Sequence, residues 1–221
     1  MIQIYGAGSS GFVRKVLFVL EYKQLPFEVI PVDLSQPSPF FLQISPLCKI
    51  PALVDGEFYI SDSTVIIDYL EHKYPEHAVY PTTPETRAQA LWFEEYADTV
   101  IFEDTRQVFY QRILKKYLYN DFSVELEKID QVLHTGLPKI ANYLETCLDL
   151  RQCLYLVGTQ LSIADIAVVT QFINLHLAGV DVDGSRYPRL NAYLKYYFDH
   201  PIFQRFIQHD KQRFGNIYPK S

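Results

Sequence analysis

Long apolar runs, clustered basic residues and charged leader segments are all scarce in this sequence. No apolar stretch approaches the roughly 20 residues that a membrane-spanning helix needs, so no membrane association is expected. Lys and Arg number 20 against 26 Asp and Glu, for a net charge of −6. That balance argues against a nucleic-acid binder, which needs clustered cations to displace counterions. The opening MIQIYGAGSS lacks the pattern of a signal peptide, and we expect a cytoplasmic location.

The residues of metal and disulfide chemistry are also few. Three cysteines, Cys48, Cys147 and Cys153, form neither a CxxC pair nor a zinc pattern, and their odd number argues against a disulfide framework. The six histidines stand singly, without metal-ligand spacing. No metal is therefore expected.

The pattern of the sequence changes near residue 80. The first part is predicted to alternate strands and helices. The predicted elements are a strand (2–5), a helix (12–23), a strand (27–34), two strands joined by Asp55-Gly56, and a helix (63–74). Because a β-α-β unit requires a parallel strand pair and the hairpin adds antiparallel strands, we expect an α+β domain of thioredoxin type.

All elements predicted beyond that point are helices. They are a long amphipathic run (85–118), a second run (124–148) with a break expected at Gly136 and Pro138, an apolar helix (161–177), and two shorter helices separated by His200-Pro201. The predicted organisation is a thioredoxin-like domain over residues 1–78, a linker over 79–85 and an all-helical bundle over 86–221.

The turn GSSGFVRKV places hydroxyl groups at the start of the first helix. The N–H groups of a helix N-terminus carry partial positive charge and can stabilise a thiolate, to which a hydroxyl in the same turn can donate. Ser9 or Ser10 can equally serve as an ordinary helix cap. Taken alone, these residues favour the cap.

Two stretches beside the hairpin offer groups that could bind a peptide. In KIP (49–51), a cis bond before Pro51 would turn the Ile50 backbone outward to pair with an extended ligand, although most X-Pro bonds are trans. SDS (61–63) opens a helix with N–H groups, a hydroxyl and a carboxylate, which match an amino-acid head group. Capping explains the second stretch equally well.

A third local signal, in YLVGTQLSIADIAV, favours a structural role. Ser162 and Asp165 have the spacing of a capping box ahead of an apolar helix. Loss of Asp165 is therefore expected to impair folding more than chemistry.

Taken in order, the serine loop before RKV, then KIP, the hairpin, SDS and YLVGTQLSIADIAV resemble the cytosolic glutathione S-transferase family over nearly the whole chain. The likeness is to serine-type members, of bacterial, tau, theta or zeta-like kind. It implies a detoxifying enzyme with glutathione as co-substrate, a small hydrophobic electrophile as second substrate, and a homodimer.

The resemblance also implies which residues act on the thiol. Ser10, six residues before Val16, would activate the glutathione sulfur, with Ser9 as the second candidate. Ile50, ahead of a cis-Pro51, would hold the cysteinyl backbone of glutathione.

Further roles implied by the resemblance concern the ends of the two substrates. Asp62 and Ser63 would hold the γ-glutamyl group, and Lys49 and Phe12 are weaker candidates for the same groove. The electrophile pocket would be built from Phe12, Arg106, Phe109 and Tyr110.

Other activities remain open at this stage. The maleylacetoacetate isomerase branch resembles SSCSxR, whereas this chain reads SSGFVR with Gly11 in place of the cysteine. A non-catalytic regulatory protein of the same fold, like the stringent starvation proteins, is the main alternative. Peroxide reduction or dehalogenation with glutathione is a further one.

Overall fold

The computed structural model describes residues 1–151 and 153–215. The chain falls into two compact units, Met1–Tyr80 and a second that starts at Pro81. The predicted boundaries of the linker, 79–85, stay a prediction.

The first unit is built on a four-stranded mixed sheet with the order β2-β1-β3-β4. The strands are β1 (Ile2–Tyr5), β2 (Phe27–Ile30), β3 (Ala52–Asp55) and β4 (Phe58–Ser61). β1 pairs in parallel with β2 and antiparallel with β3, which pairs antiparallel with β4. The predicted thioredoxin-type arrangement is confirmed.

Three helices accompany this sheet: α1 (Gly11–Tyr22), α2 (Pro39–Ile44) and α3 (Ser63–Lys73). α1 buries Val13, Val16, Leu17 and Leu20, which recur at helical spacing and form one apolar face. α2 packs Phe41 and Ile44 against Ala52 of β3.

The second unit is a helical bundle, as predicted. Its first long helix consists of α4 (Pro84–Tyr96), α5 (Phe102–Phe109) and α6 (Lys115–Tyr119), joined by the π-helical turns Ala97–Ile101 and Tyr110–Leu114. The second consists of α7 (Leu126–Gln131), the π-helical turn Val132–Gly136 and α8 (Leu137–Arg151). Next come α9 (Ile163–Leu177), α10 (Pro188–Phe198) and α11 (Pro201–Phe214). α9 is buried almost throughout and packs on α4, α5, α10 and α11.

Four details differ from the sequence-based prediction, each for a local reason. β2 ends at Ile30 because Pro31 cannot donate to the ladder. The predicted break near Pro138 is a π-helical turn, and Pro138 then sits in the first turn of α8, where a missing N–H is tolerated. The hairpin loop is Gly56-Glu57, since Asp55 pairs with Phe58. α2 was not predicted at all.

Candidate functional site

Three loops lie side by side at one end of the sheet, because the strand register brings the ends of β1, β3 and β4 together. Tyr5, the last residue of β1, pairs with Ala52, the first residue of β3. Ala52 in turn pairs with Ser61, the last residue of β4. The serine loop after β1, the segment 49–51 before β3 and the turn into α3 after β4 therefore lie side by side.

Gly6 brings the serine loop close to its neighbours. A Cβ atom at this buried glycine would lie 2.6 Å from Val13 Cγ2 and 3.5 Å from Ile50 Cβ. Only a residue without a side chain fits between α1 and the segment 49–51. The loop and Ile50 are thus in close approach.

Ser10 is the N-cap residue of α1, with extended backbone angles (φ −76°, ψ 128°). Among the hydrogen bonds of the described residues, none joins its hydroxyl to the first turn of the helix. Ser10 is half-buried, whereas Ser9 is nearly buried. The ordinary capping role considered for these serines is therefore not taken by the Ser10 side chain, and its hydroxyl stands beside the N–H groups of the helix start.

A buried arginine, which the sequence analysis did not single out, supports this loop from behind. Arg14 is fully buried one turn along α1, and its Nη2 donates a hydrogen bond to the Ser9 carbonyl at 3.4 Å. The contact fixes the peptide between the two serines. The RKV motif carried this residue, but a charged residue in a helix gives no sequence signal of where its side chain ends.

The segment before β3 has a cis peptide bond between Ile50 and Pro51. Ser45, which the sequence analysis also missed, binds the main chain of Lys49 twice. Its hydroxyl donates to the Lys49 carbonyl at 2.6 Å and accepts from the Lys49 N–H at 3.2 Å. Within the described residues, no hydrogen bond reaches the main chain of Ile50. Ile50 therefore presents its peptide groups from a segment that is held in place by its neighbour.

Asp62 caps α3, and its neighbour Ser63 is buried. Asp62 has a positive φ of 82°, and its Oδ1 accepts from the N–H groups of Thr64 at 3.0 Å and Val65 at 3.2 Å. The capping role considered for this turn is thus real, and it uses one of the two carboxylate oxygens. Lys15 of α1, fully buried, donates to Thr64 Oγ1 at 3.3 Å and ties the two helix starts together.

The residues expected to line an electrophile pocket lie in both units. Phe12 is half-buried in the first turn of α1. Arg106 is exposed on α5 and donates to Glu103 at 2.7 Å. Phe109 is buried and packs edge-on against Phe214, with ring centroids 5.7 Å apart, so it can support a wall but offers no open face.

Tyr110 opens the second π-helical turn and is half-buried. A π-helical turn widens the helix locally and is frequent at functional sites. This turn follows the helix that carries Arg106.

Asp165 is fully buried at the start of α9, where it forms a capping box with Ser162. Its carboxylate accepts from the N–H groups of Leu156 at 2.9 Å and Ser162 at 3.0 Å, and from the Tyr193 hydroxyl at 3.1 Å. Burial raises the pKa of Asp165 to about 6, although these hydrogen bonds oppose the rise. The burial of Asp165 and its hydrogen bonds are typical of a residue that stabilises the fold.

In the part of the chain that the structure describes, no group of three or more His, Cys, Asp or Glu side chains could hold a metal ion. None of the described helices has both the length and the apolarity needed to cross a membrane.

Comparison with known protein families finds matches in both units. The model of the glutathione S-transferase N-terminal domain matches residues 4–78. The model of the glutathione S-transferase C-terminal domain matches residues 124–195. Together the two matches cover most of the chain.

Individual relatives and solved structures agree with these matches. A zeta-class glutathione S-transferase of Euphorbia esula is 30% identical over 214 residues, which cover 96% of this chain and 91% of the relative. A protein of Vibrio cholerae named as a probable maleylacetoacetate isomerase is 32% identical over 194 residues, covering 85% and 86%. The structure of glutathione transferase E6 from Drosophila melanogaster superimposes with a TM-score of 0.77 at 28% identity, covering 98% and 97%.

Proposed function

This chain belongs to the glutathione S-transferase family, and on that premise we propose that Ser10 activates the thiol of glutathione for attack on a small hydrophobic electrophile. The protein is a glutathione transferase. In the proposed mechanism the Ser10 hydroxyl donates a hydrogen bond to the sulfur and keeps its own proton. The N–H groups at the start of α1 add their partial positive charge.

The observation that carries this proposal is the strand register at one end of the sheet. Because Tyr5, Ala52 and Ser61 are paired across three strands, the serine loop, the segment 49–51 and the turn into α3 lie at the same end of the sheet. An extended tripeptide that lies across this end of the sheet can reach all three segments. Its sulfur then faces Ser10.

The peptide half of the site would hold glutathione by its main chain and its γ-glutamyl group. The Ile50 N–H and carbonyl pair with the cysteinyl residue, in the manner of an added strand. The Asp62 oxygen that is not used in capping accepts from the ligand ammonium, and the Ser63 hydroxyl and the N-terminus of α3 take its carboxylate. Lys49 and Phe12 line the same groove at its margins.

The energy required for thiol activation is modest. A free thiol has a pKa of about 8.5, and a lowering by two units corresponds to about 2.7 kcal/mol of preferential thiolate stabilisation. One hydrogen bond to a charged sulfur contributes about 1.5–3 kcal/mol, and a helix N-terminus adds about 0.3–1 kcal/mol. The two together suffice.

The thiolate then attacks an electrophile in an apolar pocket. We propose that Arg106 and Tyr110 line this pocket and that Phe109 supports them from the core of the helical unit. Phe12 stays a candidate from the sequence alone. Gly11 stands where the isomerase branch has a cysteine, which favours conjugation over isomerisation. We further propose a homodimer in the cytoplasm.

The test compares Ser10→Ala with the matched variant Ser9→Ala. We expect Ser10→Ala to lower turnover with a chloronitrobenzene electrophile at least about tenfold, while calorimetry still detects glutathione binding. The ultraviolet absorbance of the bound thiolate should shift to higher pH. Ser9→Ala should retain most of the activity.

Other outcomes reassign the roles. Equal activity of wild type and Ser10→Ala would transfer activation to Ser9 or to a main-chain N–H. If wild-type protein does not bind glutathione at all, the peptide clamp is wrong and the regulatory alternative takes its place. A thiolate-dependent reduction of peroxides without conjugation would instead favour the peroxidase alternative.

A further inference from the structure

A cavity of about 470 Å³ lies wholly within the helical unit, between the two long helices. One wall is α5 with the preceding π-helical turn, and the other is formed by α7, the π-helical turn Val132–Gly136 and α8. Its polar lining includes Asp104, Gln107, Lys128, Gln131, Thr135 and Lys139. The volume falls in the range of small-ligand sites.

Asp104 is the unusual group of this cavity. It is half-buried, and no hydrogen-bond or ion-pair partner of its carboxylate is found among the described residues. Burial, followed by the nearby charge of Glu103, raises the pKa of Asp104, and Lys139 opposes the rise. Because the side chain is half-buried and lines the cavity, its carboxylate keeps acceptor positions that a bound donor could use.

Gly136 allows this carboxylate to sit against the opposite wall. A Cβ atom at Gly136 would overlap the Asp104 carboxylate, so a larger residue here would force the Asp104 side chain to move. The glycine in the π-helical turn therefore makes the room that the Asp104 side chain occupies.

Charges of the opposite sign lie on the facing wall. Lys128 is paired with Glu125 at 2.8 Å, which leaves Lys139 as the cation without such a partner in the described residues. Glu103 is likewise paired, with Arg106. The cavity thus offers one unpaired anion and one unpaired cation on different walls.

We propose that this cavity binds a small zwitterionic α-amino acid, whose ammonium group meets Asp104 and whose carboxylate meets Lys139. A ligand ammonium can donate to the Asp104 carboxylate, for which no partner is found among the described residues, and a charge-assisted hydrogen bond of this kind is stronger than a neutral one. The amide groups of Gln107 and Gln131 can bind a polar ligand side chain. L-glutamine is therefore a suitable probe.

The protein carries its own reporter near this cavity. Trp92, the single tryptophan, stacks on Tyr96 with ring centroids 6.3 Å apart. Burial raises the pKa of Tyr96, and the charges of Tyr143 and then Asp104 add to the rise, so the Asp104 carboxylate lies within electrostatic range of the Tyr96 ring. Neutralisation of Asp104 by a ligand should alter Trp92 fluorescence.

The test titrates the full chain with L-glutamine, N-acetyl-L-glutamine and L-glutamine methyl ester, by calorimetry and by Trp92 fluorescence. S-methylglutathione is present throughout, so that the proposed glutathione site is filled. We expect saturable binding of L-glutamine alone among the three. If either derivative binds as tightly as L-glutamine, the proposal that the cavity recognises a zwitterion is wrong.

Variants then locate the binding. Asp104→Asn and Lys139→Met should each weaken L-glutamine binding about tenfold or more, and the exposed Glu127→Gln on α7 should leave it unchanged. Transferase turnover should be unaffected in all three. No saturable binding to wild type, or unchanged binding to both cavity variants, would overturn the proposal. Lys139 is exposed, so its variant keeps the test valid if Asp104→Asn does not fold.

Discussion

The residues that cap α1 and α3 use their side chains in different ways. One carboxylate oxygen of Asp62 accepts hydrogen bonds from two N–H groups of α3. The Ser10 hydroxyl makes no such bond to α1 in the described structure. A capping serine ordinarily satisfies the N–H groups of its own helix. In the proposed mechanism, the α1 N–H groups and the Ser10 hydroxyl are therefore both available to the thiol.

Capping and ligand binding by Asp62 can be separated with one substitution. Asn is as good an N-cap as Asp and tolerates a positive φ, so Asp62→Asn should change the free energy of unfolding by less than about 0.5 kcal/mol. The amide carries no charge for the ligand ammonium. We therefore expect the Kd for glutathione, measured by calorimetry, to rise about tenfold or more.

Asp62→Ala supplies the comparison for that experiment. It removes the cap as well as the charge, and should cost about 1 kcal/mol of stability in urea unfolding. If Asp62→Asn binds glutathione as tightly as wild type, the aspartate serves α3 only, and another group must hold the ammonium.

The pH dependence of stability should reveal the buried Asp165. Its pKa of about 6 in the folded protein exceeds the ordinary 3.8, so the folded state binds this proton more tightly than the unfolded chain does. The resulting stabilisation is present at low pH and is lost as the pH rises from about 4 to 6. Asp165→Asn removes this contribution.

We therefore expect Asp165→Asn to destabilise the protein by about 1 kcal/mol more at pH 5 than at pH 7. At both pH values it should also lose about 2 kcal/mol or more, because an amide has one acceptor for donors that now use two oxygens. Urea unfolding of both proteins at the two pH values measures this. A larger loss at pH 7 than at pH 5 would mean that the hydrogen bonds outweigh burial and keep the carboxylate ionised.

At the scale of elements, one buried lysine joins the ends of α1 and α3. Lys23 follows the last turn of α1, and its ammonium donates to the carbonyls of Tyr74 at 2.8 Å and Glu76 at 3.0 Å. It also forms an ion pair with Glu71, whose carboxylate accepts from the N–H of Val79. The contact anchors the segment that leaves the first unit.

Lys23→Met should destabilise the protein by about 3–5 kcal/mol, since it leaves the Glu71 carboxylate buried without its cation. The matched control is Lys73→Met, which breaks the more exposed pair with Asp55 in the same unit and should have a much smaller effect. Urea unfolding of both variants measures the difference. Equal losses of stability in the two variants would mean that burial of Lys23 does not strengthen its ion pair with Glu71.

The sequence predicted the long elements well because their apolar periodicity is strong. β1, α1, α3 and α9 follow directly from it. α2 was missed because six residues are too few for a periodic signal, although Ser38 and Pro39 give a cap and a first-turn proline. The π-helical turns have no counterpart in periodicity, since they arise from packing between helices.

The candidate site divides in the same way. Ser10, Ile50 and Asp62 could be proposed from the sequence because their motifs are contiguous. Ser45 and Arg14 were not, since their roles depend on where their side chains end after folding. The cavity beside Asp104 was also beyond prediction, because its walls come from helices that are distant in sequence.

At the scale of the whole molecule, both units expose large apolar side chains. In the first unit, Phe58 and Tyr59 on the edge strand β4 are 44% and 41% exposed. In the second, Trp92 is 54% exposed and stands beside the exposed Leu91 on α4. Exposed aromatic residues of this size are typical of protein interfaces.

These surfaces lead to a prediction about assembly. In the two-fold dimer that we predict, each patch of one subunit would face the other patch of its partner, and the symmetry would then cover both patches twice. Light scattering should then give about twice the chain mass of 25.8 kDa. Trp92→Glu should shift the protein towards a monomer, because a carboxylate in an apolar interface is strongly unfavourable.

The matched control is Leu118→Glu, which introduces the same charge at a side chain 55% exposed on α6 of the same unit. It should leave the dimer intact, and both variants should retain the wild-type circular dichroism spectrum. A wild-type mass near that of one chain would contradict the dimer. If both variants dissociate equally, the interface extends to α6, and the patch around Trp92 is not its centre.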